Sequence, residues 1–160
     1  MFVRTFSGAI VGIDAVRVTV EVNRDGGGLG LFLVGLPDNA VRESEQRIRA
    51  AFGNAGLRMT MKKIVVNLAP ADLRKEGAAF DLPIAVGILA ATEQVADDML
   101  GETMLAGELS LDGGIRGING ILPTLISARE NGVKSVIIPK ENEQEGGYID
   151  GIDVFVASTL

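Results

Sequence analysis

The feature that most constrains the fold is an uncharged apolar stretch at residues 82–91, "LPIAVGILAA". It is about half the roughly 20 residues that a helix needs to cross a bilayer, so it predicts a helix buried inside a protein. Pro83 is compatible with this helix, because a proline in the first turn removes only an amide that has no intrahelical partner. The segment "KIVVNL" at residues 63–68 is apolar nearly throughout and predicts a central strand just before the helix. Together they indicate helices packed on a sheet.

A second strand is indicated by alternation. Val16, Val18, Val20 and Val22 alternate with polar residues, a pattern typical of a half-buried antiparallel strand. The glycine-rich segment 25–28 then predicts a hairpin turn into another strand at residues 31–34. A nucleotide loop is disfavoured there, because the glycines lack GxGxxG spacing and no helix follows them.

The remaining elements are predicted from residues that cap helices and from residues that end helices or strands. Asp38 is predicted to cap a helix over residues 39–55 that ends at Gly56. Val41, Ile48, Ala51, Phe52 and Ala55 form its apolar face. We further expect a strand up to Leu111, a turn at 112–114, a returning segment with Ile115 and Ile118, a helix at 123–130 ended by Asn131-Gly132, and strands at 135–138 and 152–156. The order predicts one mixed α/β domain over residues 1–160.

The residue types exclude several chemistries. The chain has no histidine and no cysteine, so Ser-His-Asp triads, HExxH metal sites, disulfides and thiolate zinc sites cannot be built within it. The carboxylates match no calcium-loop pattern, and we predict no metal site. No GxxxxGK[ST] loop occurs, so no P-loop ATPase is encoded in this segment. The lack of a signal-peptide pattern and of cysteine favours a cytoplasmic protein without membrane contact.

Charge is distributed unevenly. The formal net charge is -6, yet residues 42–76 hold eight basic and four acidic residues. One interpretation is a solvated helix face with i,i+4 pairs, Glu43 with Arg47 and Glu45 with Arg49. The other is a basic patch that binds phosphate backbones or an acidic neighbouring domain. The candidate binding residues are Arg42, Arg47, Arg49, Lys62, Lys63, Arg74 and Lys75.

The loop "KEGAAFD" at residues 75–81 joins the central strand to the apolar helix. Such a turn can hold a nucleophile or an anion at the free amides of the helix start. We expect Asp81 to cap the helix and thereby to compete with an anion for those amides.

Three segments carry a resemblance: "VGLPDNAVRESEQRIRAA", "VVNLAPADLRKEGAAFDLPIAVGILAA" and "AGELSLDGGIRGINGILP". They resemble the N-terminal domain of the Mg-chelatase-related AAA+ ATPases, the YifB or ComM family, from about Val3 to the C-terminus. That domain is similar to the proteolytic domain of Lon, with the ribosomal protein S5 domain 2-like fold. The resemblance therefore implies that fold for this chain.

The similarity to Lon implies where a catalytic dyad would lie. The nucleophilic serine of Lon lies in a lysine-aspartate-glycine-proline-serine-alanine-glycine loop, which places Ala79 at the serine position. The catalytic lysine of Lon follows glycine-glycine-leucine, which places Leu122 at the lysine position. A methyl group cannot attack a carbonyl and an isobutyl group cannot accept a proton, so both halves of the dyad are missing. A displaced dyad of Ser110 or Ser127 with Lys134 or Lys140 is the alternative, although these residues are expected to face solvent on a strand and a helix.

The resemblance also implies a role. In the family this domain precedes an AAA+ motor that binds ATP and magnesium, and the whole protein is a hexameric, ATP-driven helicase on branched DNA. We therefore expect a non-catalytic module without a cofactor of its own, which contacts the motor domain, further copies of the chain and DNA. Aromatic residues are scarce, with six Phe, one Tyr and no Trp, so backbone contacts are expected rather than base recognition. The alternatives are a diverged serine peptidase and a purely structural subunit-interface module.

Overall fold

A computed structural model describes every residue of the chain, Met1–Leu160. Seven strands form one sheet in the order β3-β4-β2-β1-β5-β8-β9, and β6 and β7 form a separate pair. The strands are β1 Phe2–Val11, β2 Asp14–Arg24, β3 Leu31–Val34, β4 Ile64–Ala69, β5 Thr103–Leu105, β6 Glu108–Leu109, β7 Ile115–Arg116, β8 Ser135–Pro139 and β9 Asp153–Ala157. The helices are α1 Asn39–Arg42, α2 Ser44–Asn54, α3 Asp81–Ala91, α4 Ile121–Glu130 and α5 Glu143–Gly146.

The large sheet is mixed. Strand β2 runs antiparallel to both of its neighbours, β1 and β4, whereas every other pairing in the sheet is parallel. The β1–β2 hairpin turns at Gly12-Ile13, where Gly12 has a φ of 64° and supplies the conformation that a two-residue hairpin loop requires. Strand β4 lies between β3 and β2, as its apolar sequence predicts.

Helices cover the two faces of the sheet unequally. On the first face, Val18, Val20 and Val22 of β2 join a buried cluster that includes most of α3 and the apolar side of α2. On the second face, α4 packs over β1, β2 and β8, and its apolar side chains form a smaller cluster with Met104 and other apolar side chains of β5 and β8. The resulting architecture confirms the predicted mixed α/β class. None of the helices is both long and apolar enough to cross a bilayer.

The glycine-rich hairpin predicted at residues 25–28 is wrong. Strand β3 pairs with β4 in parallel register, Leu31 beside Ile64, so β2 and β3 are separated by β4 instead of pairing. The glycines therefore belong to a connection that passes the end of β4. The true hairpin partner of β2 is β1, which the sequence pattern did not predict. The buried positions of β1 include Thr5, Ser7 and Gly8. The alternation of apolar and polar residues along β1 is therefore weak.

The predicted helix over residues 39–55 is two helices. Asp38 caps the first as expected, since its Oδ1 accepts from the Val41 N–H at 2.8 Å. Glu43 separates α1 from α2. Val41, Ile48, Ala51 and Phe52 are buried as predicted, but Ala55 is exposed. Gly56, with a φ of 72°, follows the C-terminus of α2 as predicted.

The later elements agree with the pattern in outline. Helix α4 ends at Glu130 and is followed by Gly132 with a φ of 70°. Strands β8 and β9 lie within one residue of the predicted bounds. The single strand predicted up to Leu111 is instead two short strands, β5 and β6, and the returning segment is strand only at residues 115–116. The turn between β6 and β7 is closed by the Ser110 N–H, which donates to the Gly114 carbonyl at 2.9 Å.

Candidate functional site at the loop before helix α3

A cavity of about 450 Å³ lies beside the loop that leads into α3. One wall consists of Glu76, Gly77, Ala78 and Ala79, and the opposite walls come from β1, the start of β6, the segment after β7 and the first turn of α4. The remaining lining residues are Gly8, Ala9, Ile10, Ala106, Glu108, Gly117, Ile118, Asn119 and Thr124. The cavity is thus assembled from five separate parts of the chain, and of its lining the sequence pattern indicated only the loop.

Lys75 fixes the start of the loop from inside. Its side chain is fully buried, and its Nζ donates to the carbonyls of Gly35, at 2.8 Å, and of Pro70. The backbone of Lys75 is also bonded on both sides, since its N–H donates to Leu36 and its carbonyl accepts from Asp38. Burial lowers the pKa of the Lys75 ammonium group. Lys75 therefore supports the loop, and the prediction that it is a surface contact for phosphate is wrong.

Asp38 joins this loop to the start of α1. One carboxylate oxygen accepts from Val41 and the other accepts from the Gly77 N–H at 3.1 Å. Gly77 has a φ of 81°, a conformation that residues with a Cβ rarely adopt. A single carboxylate thus caps a helix and holds the loop glycine in place.

Asp81 is fully buried at the end of the loop. The prediction that it caps α3 is wrong, because its side chain makes no cap bond and turns toward α2. It accepts from the Ser44 hydroxyl, from Arg47 Nε at 2.6 Å and from the Leu109 N–H at 3.1 Å. The Arg47 guanidinium responds to the same contact, since its hydrogen bonds to Asp81 raise its pKa. Asp81 therefore ties α3 to α2 and to β6, and Arg47 is occupied internally.

The loop is also bonded to the segment between β5 and β6. The Gly107 N–H donates to the Ala79 carbonyl at 3.0 Å, and the Leu82 N–H donates to the Gly107 carbonyl at 3.0 Å. Gly107 packs so closely against β7 that a Cβ there would lie 2.8 Å from the Ile115 side chain. The turn before α3 is consequently held by side chains and backbone together, as a rigid nucleophile turn would be.

The chain has clear relatives among known proteins. The model of the family described as Subunit ChlI of Mg-chelatase matches residues 20–142. This chain belongs to that family. It is 45% identical over 152 residues to the uncharacterized protein YifB of Escherichia coli strain K12, which covers 95% of this chain and 30% of that protein. It is 42% identical over 155 residues to the competence protein ComM of Haemophilus influenzae, covering 97% of this chain and 30% of ComM.

Similarity to a protease is weaker but extensive. Lon protease 2 of Bacillus subtilis is 29% identical over 118 residues, which is 73% of this chain and 21% of that protein. The predicted likeness to both the Mg-chelatase-related proteins and Lon is thereby confirmed. The chain spans about a third of the length of the curated YifB and ComM relatives.

In this ChlI-family chain the two positions implied for a Ser-Lys dyad carry no reactive group. Ala79 lies in the cavity wall and is partly exposed. Leu122 lies in the first turn of α4, is 36% exposed and does not line the cavity. At the position that the resemblance to Lon implies for a nucleophile, this chain has a methyl group, which cannot attack a carbonyl.

The residues of the alternative dyad are engaged elsewhere. Ser110 donates to Asp112 and lies in the β6–β7 turn, and this bond lowers the pKa of the Asp112 carboxyl. Ser127 is buried, contrary to the expectation that it faces solvent, and the Asn131 amide donates to its hydroxyl at 3.4 Å and to its carbonyl at 2.8 Å. Lys134 pairs with Glu102 at 2.8 Å and Lys140 with Glu143 at 2.6 Å, both exposed as expected. Neither lysine is hydrogen bonded to either serine.

The other basic candidates lie at the surface. Arg42, Lys62 and Arg74 are exposed, and Arg74 pairs with Glu76 at 3.2 Å. Arg49 forms the predicted i,i+4 pair with Glu45 at 3.0 Å. Lys63 is half-buried, with its Nζ 5.6 Å from the centre of the Phe32 ring. Their role in binding stays a prediction.

Proposed function

We propose that this chain is a non-catalytic, Lon-like N-terminal module of a Mg-chelatase-related AAA+ ATPase of the YifB and ComM type. The observation that carries the proposal is the loop around Ala79, which is held by Lys75, Asp38, Asp81 and Gly107 and in which the resemblance to Lon implies that Ala79 replaces the nucleophilic serine. A chain without this turn would give little evidence of a relationship to the Lon nucleophile turn. A preserved turn without a nucleophile favours a scaffold that has been kept for binding or assembly.

The module serves assembly and contacts to DNA or to the motor domain in a hexameric, ATP-driven DNA branch-migration helicase. ATP and magnesium bind in the motor domain and not in this segment. Supporting this proposal, the relative called competence protein ComM is 42% identical, and the matched part is 30% of its length. The rest of such a relative is long enough to contain a motor domain.

Phosphate contacts are assigned to the exposed part of the basic segment. With Arg47 and Lys75 used internally, the cations still exposed for contact include Arg42, Lys62 and Arg74. Exposed Lys and Arg side chains bind phosphates without base specificity and make binding strongly dependent on salt.

The test is charge reversal. A variant with Arg42→Glu, Lys62→Glu and Arg74→Glu is expected to bind branched and duplex DNA more weakly, with the slope of log K against log salt reduced by about one for each phosphate that is no longer neutralised. Fluorescence anisotropy with labelled DNA over a salt series measures both quantities. The matched control reverses Arg129, Lys134 and Lys140, which are also exposed but lie outside the segment. Equal binding by the two triple variants would remove the DNA part of the proposal.

A second candidate is a subunit-interface module. The observation that favours it is the apolar tip of the β1–β2 hairpin, where Ile13 is 90% exposed and Ile10 and Val11 are about half exposed. Adjacent exposed aliphatic side chains are typical of surfaces that become buried on association. Here the partner would be a second copy of the chain.

A further inference from the structure

On the second face of the sheet, α4 covers β1 and β2 only toward their hairpin, and the half that contains β3, β4 and the opposite ends of β1 and β2 is left open. Phe2 on β1 and Phe32 on β3 project from this open half, and each is 49% exposed. The strand register aligns them in one row, in which Phe32 lies beside Val65, Val65 beside Asn23, and Asn23 beside Phe2. With strands about 4.8 Å apart, the two rings are about 14 Å from each other. The row crosses four strands on a single surface.

All three cation–π pairs of the chain lie on this same face. Arg4 Cζ is 4.8 Å from the centre of the Phe2 ring, and Lys63 Nζ is 5.6 Å from the centre of the Phe32 ring. Arg17 Cζ is 3.8 Å from the centre of the Phe6 ring, where the open half meets α4. Each half-exposed ring thus has a cation within cation–π distance, and the same cation lies close enough to meet the phosphate of a base stacked on that ring.

The carboxylates on this face are fewer and already engaged. Glu21 pairs with Arg4 at 3.5 Å and accepts from the Asn67 amide at 2.9 Å. Asp25, just beyond β2, accepts from the Gly26 N–H. Three cations therefore face two carboxylates, a local positive balance on a chain whose net charge is -6. This balance is complementary to a polyanion.

The pattern between the rings argues against a protein partner. Exposed Asn23 separates Phe2 from Val65, and the next row along the sheet is Val34, Asn67, Glu21 and Arg4. A protein interface buries a continuous, charge-depleted apolar centre, which is absent here. Separate aromatic rings with neighbouring cations and amides are what unpaired bases and their phosphates require.

We propose that this open sheet face binds single-stranded nucleic acid, with bases stacked on Phe2 and Phe32 and phosphates at Arg4 and Lys63. The inference deepens the DNA contact of the proposed function, on which it rests. It adds a base-stacking site to the phosphate contacts proposed for the basic segment, since both rings lie outside residues 42–76 whereas Lys63 lies within them. It revises the expectation that scarce aromatic residues leave only backbone contacts.

The absence of tryptophan from the chain allows a direct test. Phe32→Trp introduces a single tryptophan at the site, and its fluorescence is expected to be quenched when oligothymidylate or oligouridylate of about 4 to 16 nucleotides is added. Comparison of the two oligomers shows whether DNA or RNA binds more tightly. A duplex of the same length should quench less, because its bases are already stacked.

The control is Phe155→Trp. Phe155 is 56% exposed on β9, at the far edge of the sheet, and is not part of a cation–π pair. This tryptophan should not respond to the oligomers. Phe2→Leu and Phe32→Leu keep an apolar side chain without the ring, and each should weaken binding on the order of tenfold at low salt. Circular dichroism establishes that each variant is folded.

The outcomes separate this inference from the proposed function. Quenching confined to Phe32→Trp, together with weaker binding by the leucine variants, supports the sheet face as the site. Equal quenching of both tryptophans, or no quenching of either, overturns it. So does fluorescence that changes with protein concentration but not with added oligomer. If charge reversal at Arg42, Lys62 and Arg74 weakens binding to duplex DNA while Phe32→Trp stays unquenched, the proposed function stands and only the stacking site fails.

Discussion

At the scale of single residues, the most consequential contact is the one between Arg47 and Asp81. The sequence places Arg47 in a basic segment with Glu43 four residues before it, which predicts a surface pair. The structure gives that pair a distance of 3.7 Å and gives Arg47 a far closer, buried partner in Asp81 at 2.6 Å. Periodicity within one helix cannot reveal a partner 34 residues away on another element.

We expect Arg47→Met to lower the free energy of unfolding by about 3 kcal/mol, because Asp81 would be left buried without its cation. The double variant Arg47→Met with Asp81→Asn should recover part of that loss, since the amide carries no charge. Urea unfolding of the chain measures both. The control is Arg49→Met, whose exposed partner Glu45 contributes about 0.5 kcal/mol or less. Equal losses for Arg47→Met and Arg49→Met would contradict the buried pair.

At the scale of elements, the packing of α3 on β2 depends on the one glycine in the helix. A Cβ at Gly87 would lie 2.6 Å from Val22 Cγ2, and Val22 is fully buried in β2. Glycine lowers helix propensity by about 1 kcal/mol, so its presence in an apolar helix is unfavourable locally. The role of Gly87 is to let α3 pack closely on β2, and only the contact between helix and strand shows this.

Gly87→Ala should therefore destabilise the chain by about 1 kcal/mol, because overpacking against Val22 outweighs the gain in helix propensity. Val22→Ala in the same chain should restore part of the stability by making room. Gly53→Ala in α2 is the matched control, since a Cβ there meets nothing within 4 Å, and it should stabilise by up to about 1 kcal/mol. Thermal unfolding followed by circular dichroism compares the three. Stabilisation by Gly87→Ala would show that the helix and strand can separate easily.

At the scale of the whole molecule, the order of the strands in the sheet determines which side chains share a surface. Because β4 separates β2 from β3, Phe32 and Phe2 come to share a row although they are 30 positions apart in the sequence. Ile13, at the tip of the β1–β2 hairpin, belongs to neither buried cluster. Neither surface follows from the order of elements along the chain.

Assembly through that tip predicts a concentration-dependent equilibrium. Ile13→Gln should shift the chain toward the monomer in sedimentation velocity, because a buried isoleucine would contribute about 1.5 to 3 kcal/mol to association. Met61→Gln removes a similarly exposed apolar side chain from a loop and serves as the control. Identical sedimentation of the original chain and both variants, at all concentrations, would exclude self-association through the hairpin tip.

The sequence by itself determined the local elements of this protein. Valine alternation specifies β2, the apolar run specifies α3, and glycines with positive φ end α2 and α4, since each depends on neighbours a few residues apart. Through resemblance it also implied that Ala79 stands at a nucleophile position, which stays a prediction. Only the tertiary structure decided that Lys75 and Arg47 act internally, that Asp81 joins three elements instead of capping one, and that two phenyl rings share an open face. These are pairings between distant segments, and they depend on strand order and on burial, which local periodicity does not encode.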